Sequence, residues 1–108
     1  MRMTIRDPKV LLGKILQILE DRGYAQVRGY FRFEFVEEGK TWVSMKRRKG
    51  TSARIPLMKI LEGIKFYQRN NDSYDEGPVA LRRAGLTHIT SPIFALLHLL
   101  PEEAYFSS

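Results

Sequence analysis

The chain has 108 residues, long enough to bury one core and too short for two domains, so residues 1–108 are read as a single domain. Its 44% apolar fraction, which includes one Trp, five Tyr and six Phe, describes a folded globule and argues against disorder. There is no cysteine, which excludes disulfide scaffolds and thiolate zinc sites, and the net charge of +6 turns attention to anionic partners.

The basic excess is concentrated. Residues 40–69 hold nine Lys/Arg against the single acid Glu62, a local balance of +8, whereas the rest of the chain sums to −2. Such a segment makes a surface field that can hold an anion, where a diffuse excess would speak mainly of solubility.

Residues 1–6 read as a loose arm or short strand carrying Arg2 and Arg6. Asp7-Pro8 then forms the N-cap and first residue of a helix. The carboxylate can accept a backbone N–H, and proline is pre-set for the first turn. Leu11, Leu12, Ile15, Leu16, Ile18 and Leu19 give this helix a broad apolar face, and Gly23 is placed to close it. The same stretch is no secretory signal: Gly13, Lys14 and Gln17 interrupt it and no small-residue cleavage site follows. No apolar run approaches the roughly 20 residues of a membrane span. A cytoplasmic location is the default expectation.

Residues 30–57 organise the chain. Apolar and polar residues alternate, break at Glu38-Gly39, resume, and run into Lys46-Arg47-Arg48-Lys49-Gly50. Period-two alternation marks half-buried strands, and a Gly-containing break between two runs marks a hairpin. Phe31, Phe33 and Phe35 share one face, which Val43 and Met45 can meet across the turn. Arg28, Tyr30, Arg32 and Glu34 share the other. Gly29 is read as a bulge or a close backbone approach. Trp42 falls on the face opposite Val43 and Met45, to be covered by a later helix or left exposed. A third short strand, at residues 53–55, ends at Pro56, which has no N–H to donate to a ladder.

Pro56 can start the next helix, with Leu57, Ile60, Leu61, Ile64 and Tyr67 at helical spacing. Gly63 inside it costs about 1 kcal/mol relative to Ala, tolerable where another backbone comes close. A polar, turn-rich segment follows to Gly77. Residues 79–84 make a short helix closed by Gly85. Ser91-Pro92 repeats the N-cap device ahead of a helix to Leu100 that is apolar nearly all round, either central to a core or a subunit contact. Residues 102–108 read as a tail. The fold class expected is α+β: a small three-stranded antiparallel sheet packed by the N-terminal helix and two or three further helices.

Motifs for catalysis and cofactors are sparse. His88 and His98 are the only histidines, without metal-ligand spacing, and His98 in a leucine-rich helix reads as a hydrogen-bonded packing residue. The scattered glycines form no Walker A and no G-x-G-x-x-G, and there is no G-x-S-x-G. Acid pairs stand at Glu20-Asp21, Glu37-Glu38, Asp75-Glu76 and Glu102-Glu103, and a metal-dependent nuclease would need two or three of them to converge. No metal, cofactor or catalytic residue is assigned. The two C-terminal helices have a helix–turn–helix cadence, but the connector is too long and the second helix too apolar to read a groove.

The strongest functional signal is the tip Lys46, Arg47, Arg48 and Lys49. Adjacent cations repel, which gains nothing for the fold, whereas phosphates give the cluster a use by releasing counterions. Arg54, Lys59, Lys65 and Arg69 extend the set, Thr51-Ser52 add donors, and Arg28 and Arg32 on the outer sheet face adjoin it. Tyr30 and Trp42 are candidate base-stacking surfaces. The sequence thus points to a non-catalytic protein that binds nucleic acid, DNA or RNA, through a basic β-turn and the adjacent helix. The alternative is a protein-interaction module, an inhibitor or assembly subunit, that docks an acidic protein and can form a homodimer through the 92–100 helix.

Overall fold

Helix α1 spans Pro8–Arg22 in the computed structural model, which describes residues 7–47, 50–87 and 89–106. Its ends follow the local rules. The Lys9 N–H donates to the Asp7 carboxylate at 2.9 Å, and Gly23 adopts φ 80° while its N–H donates to the Leu19 carbonyl. A side chain at Gly23 would be strained in that left-handed conformation. Leu11, Ile15 and Leu19, one helical turn apart, are buried, with Leu12 and Ile18 packed beside them.

The sheet is antiparallel in the order β1-β2-β3-β4, formed by Tyr24–Ala25, Phe33–Glu38, Trp42–Arg47 and Ser52–Pro56. It has four strands where three were expected. Gly29 is the reason: it takes φ 89° in a turn closed by the Tyr30 N–H donating to the Val27 carbonyl at 2.9 Å. Tyr24 and Ala25 therefore fold back onto Glu34 and Phe33. The register irregularity expected at Gly29 lies instead between Phe35 and Glu37.

Opposed residues on neighbouring strands share a face. Phe35 and Met45 are opposed, as are Val43 and Ile55, and with Ala25 and Phe33 they form the core face. Phe33 is buried and Phe35 half-buried, but Phe31 is 60% exposed, contrary to the expected burial of all three. Strand β2 begins only at Phe33, so Phe31 lies on the loop beyond the paired region.

Pro56 is the last residue of β4 and leads directly into α2, Leu57–Arg69. Ile60, Leu61, Ile64 and Tyr67 are buried along it. Gly63 is closely approached by side chains, not by the backbone expected there: a Cβ would lie 3.0 Å from Leu97 Cδ1 and 3.3 Å from Ile93 Cγ2. A 3-10 turn, Asn71–Asp75, and the short α3, Val79–Arg82, lead to α4, Thr90–Leu97. Helix α4 packs its residues Ile93, Phe94, Ala95, Leu96 and Leu97 into the core of the single chain, each at most 3% exposed.

Two ends differ from expectation. Helix α4 starts at Thr90 rather than with Ser91 as N-cap. The buried Thr90 hydroxyl donates to the Leu86 and Thr87 carbonyls, and Pro92 still falls in the first turn, where a missing N–H costs little. The segment after Pro101 is not a tail but a second 3-10 turn, Glu102–Tyr105. Tyr105 is 2% exposed, and its hydroxyl donates to the Leu97 carbonyl.

His98 has the packing role expected of it. Its ring nitrogens lie 2.9 Å from the Phe94 and Tyr74 carbonyl oxygens, and its ring contacts those of Tyr74, Phe94 and Tyr67. Among the described residues no helix is long and apolar enough to cross a membrane.

Candidate nucleic-acid interface

The sheet face away from the core carries Tyr24, Glu34, Lys46 and Ser52 in one row and Glu37, Ser44 and Arg54 in the next. Among the described residues four arginines lie on aromatic rings, one of them Arg22 at 4.6 Å from the Tyr24 centroid. Arg32 stacks on Tyr24 at 3.8 Å, Arg54 on Trp42 at 4.2 Å and Arg47 on Phe31 at 4.1 Å. Such stacking holds the guanidinium plane while leaving its N–H edges free to donate. Trp42 is thus half-buried, with Arg54 over its ring and the Gly39 backbone against its edge. At the β1 edge the Arg22 guanidinium, by hydrogen bond and then by charge, holds the Tyr24 hydroxyl below its ordinary value, with Arg32 adding to the same effect.

Arg47 borders two concavities at the tip end of the β3–β4 hairpin. One, of about 420 Å³, has an apolar floor of Phe33, Met45 and Ala53 and carries Arg47, Thr51, Arg82 and Ser91 on its walls. Among the described residues neither Arg47 nor Arg82 has a carboxylate partner. The other, of about 570 Å³, is lined by Gln26, Tyr30, Phe31, Arg32, Glu34 and Arg47. Here Arg32 is partly balanced by Glu34 at 3.8 Å.

The sequence-assigned set is therefore divided. Lys46, Arg47 and Arg54 lie on the β3–β4 hairpin, whereas Arg48 and Lys49 fall outside the described residues. Lys59, Lys65 and Arg69 line a different groove with Arg83, and it shares no residue with either concavity at the tip. In that groove Lys59 pairs with Glu62 at 3.5 Å, and Arg83 makes two 2.9 Å contacts to the Glu76 carboxylate. Arg28 is exposed on the turn at residues 27–30 and lines neither tip concavity.

Two residues of the tip were not singled out from the sequence. Arg82 belongs to an Arg-Arg pair in an otherwise apolar short helix, and that break in pattern was its one signal. Phe31 follows the Gly29 turn, which removes it from the strand. Among the described residues no group of three or more His, Asp or Glu side chains is placed to hold a metal ion.

Comparison of the chain with family models, with curated proteins and with solved structures finds no match.

Proposed function

We propose that the protein is a non-catalytic nucleic-acid-binding protein that holds phosphates at the tip end of the β3–β4 hairpin. One observation carries the reading: Arg47 and Arg82 line a single cleft without a carboxylate partner among the described residues, beside the hydroxyls of Thr51 and Ser91. Two unneutralised guanidinium groups at one cleft repel each other and gain nothing for folding. A phosphate turns that repulsion into two charge-assisted, fork-shaped contacts. Lys46 and Arg54 on the same hairpin, with Arg48 and Lys49 beside them in the chain, extend the positive field along a bound backbone.

The experiment is a fluorescence-anisotropy titration with labelled oligonucleotides over a series of salt concentrations. Arg47→Gln with Arg82→Gln removes two cations from exposed positions and the Arg47 stack on Phe31, so the thermal transition should move by only a few degrees. On duplex DNA the slope of log K against log salt should shrink by roughly 1.8, two contacts at about 0.9 each. An unchanged slope and affinity would remove the cleft from the site. Absence of any binding by the unmodified protein at low salt would refute the reading and favour an acidic protein as the partner.

A further inference from the structure

The second tip concavity has a feature that phosphate binding alone does not use. Phe31 is 60% exposed and Tyr30 46% exposed, side by side on the loop that enters β2. The fold gains little from an apolar ring left in water. The loop that presents it is nonetheless held in place. The Tyr30 ring meets the core residue Phe94 edge-on, with centroids 5.1 Å apart, and the Gln26 side-chain amide donates to the Tyr30 carbonyl at 3.1 Å. The platform is therefore pre-organised, and a ligand that lands on it pays little ordering entropy.

We propose that this concavity seats an unpaired base and that the ligand is a single-stranded nucleic acid. The inference rests on the phosphate-binding reading above and narrows it. The open part of the Phe31 ring offers a stacking surface for a base of any identity, since every base has a π-face. Arg47 lies on the same ring at 4.1 Å and also lines the Arg82 cleft. One guanidinium thereby stands between the base position and the phosphate position, the alternation a single strand presents. A duplex cannot fill the base position without unpairing, because its bases are stacked inside. Among the described residues Glu34 at the rim is the one anionic group lining the concavity, and Arg32 at 3.8 Å balances it.

Single strand and duplex of the same sequence, titrated by anisotropy at one salt concentration, test this directly. The single strand should bind more tightly. Phe31→Ala should weaken single-strand binding roughly 5- to 100-fold, the range carried by base–aromatic stacking, and weaken duplex binding far less, by the lost support of Arg47 alone. Phe31→Leu, which keeps apolar bulk without a π-face, should behave like Phe31→Ala, and Phe31→Trp should retain or improve affinity. The thermal transition of each variant serves as the folding control.

Equal affinity for duplex and single strand, or a Phe31→Ala change that affects neither or both alike, would overturn the proposal. If the Arg47→Gln, Arg82→Gln pair still reduced the salt slope in that case, phosphate binding would stand and only the single-strand assignment would fall. If no oligonucleotide bound at all, both would fall.

Discussion

Replacing Gly39 by Ala tests how the outer face of the sheet holds its aromatic–arginine stacks. A Cβ at Gly39 would lie 2.3 Å from Trp42 Cε2 and 2.6 Å from both Cζ2 and Nε1. Carbon atoms settle at about 3.5 Å, so the ring must retreat by roughly 1.2 Å. Gly39 has no positive φ, so backbone strain adds nothing. Moving the indole breaks the Arg54 stack, about 0.5–1 kcal/mol at an exposed site. It also uncovers roughly a quarter of an aromatic side chain's buried area, worth about 1 kcal/mol. The lower chain entropy of Ala in the unfolded state returns about 0.5 kcal/mol. The net cost is about 1–1.5 kcal/mol, or roughly 4–8 °C in Tm for a chain of this size. Trp42 is the only tryptophan, so native-state emission should shift to the red as the ring becomes wetter. In a Trp42→Ala background the same Gly39→Ala change should cost nothing, because there is no ring to meet. An equal cost in both backgrounds would place the effect in the turn and refute the stack as its origin.

Three buried aromatic residues give three further predictions. Phe33→Ala should cost about 3 kcal/mol in a urea titration, the low end for a buried Phe, because the ring also lines the tip cleft and water can enter the space; a cost below about 1 kcal/mol would mean the ring is not core. Tyr67 and Tyr105 should respond oppositely to removal of the hydroxyl: the buried Tyr67 hydroxyl has no hydrogen-bond partner among the described residues, so Tyr67→Phe should be neutral or stabilising, whereas Tyr105→Phe loses the bond to Leu97 and should cost about 1 kcal/mol. Burial pushes both hydroxyls above the ordinary tyrosine value. Their contribution to stability is therefore complete below about pH 10, where the unfolded chain begins to ionise, and falls as pH rises above it toward the folded values. An alkaline denaturation series on the double Phe variant should show a shallower fall than the parent.

The parts of the fold that were legible in the sequence are those decided within one or two turns of chain. Asp7-Pro8 and Gly23 mark both ends of α1, and the stripe from Leu57 to Tyr67 marks the buried side of α2 because 3.6-residue periodicity is a local property. The errors arise where two local readings are equally good and packing chooses. Gly29 can serve a bulge or a turn, and the choice decides whether residues 24–36 make one strand or two. Thr90 and Ser91 can each bond to backbone at a helix start. The core accepts the Thr90 methyl and leaves Ser91 outside. Tyr105 looks like part of a polar end until its hydroxyl finds the Leu97 carbonyl, a partner eight residues away across a proline break.

The candidate site was legible as a class of residue and not as a place, and the reason is electrostatic. Sequence counts positive charges, whereas an anion responds to those left unneutralised. Lys59 and Arg83 are already engaged by Glu62 and Glu76, so a phosphate in the groove beside α2 must compete with a carboxylate for each. Those exposed pairs are each worth only about 0–1 kcal/mol, so they lower the affinity of the groove without closing it. Among the described residues Arg47 and Arg82 face no such competition, nor do Lys65 and Arg69 in that groove, and each such cation can release a full counterion equivalent on binding. The Lys46-to-Lys49 run would predict a loss of salt slope from four neighbouring cations. The folded arrangement instead brings together at one cleft a pair 35 positions apart, Arg47 and Arg82. Arg47→Gln with Arg82→Gln should therefore reduce the slope more than Lys59→Gln with Arg83→Gln, although both remove two charges. Equal reductions would mean that carboxylate pairing does not rank these cations and that the groove beside α2 belongs to the interface on equal terms.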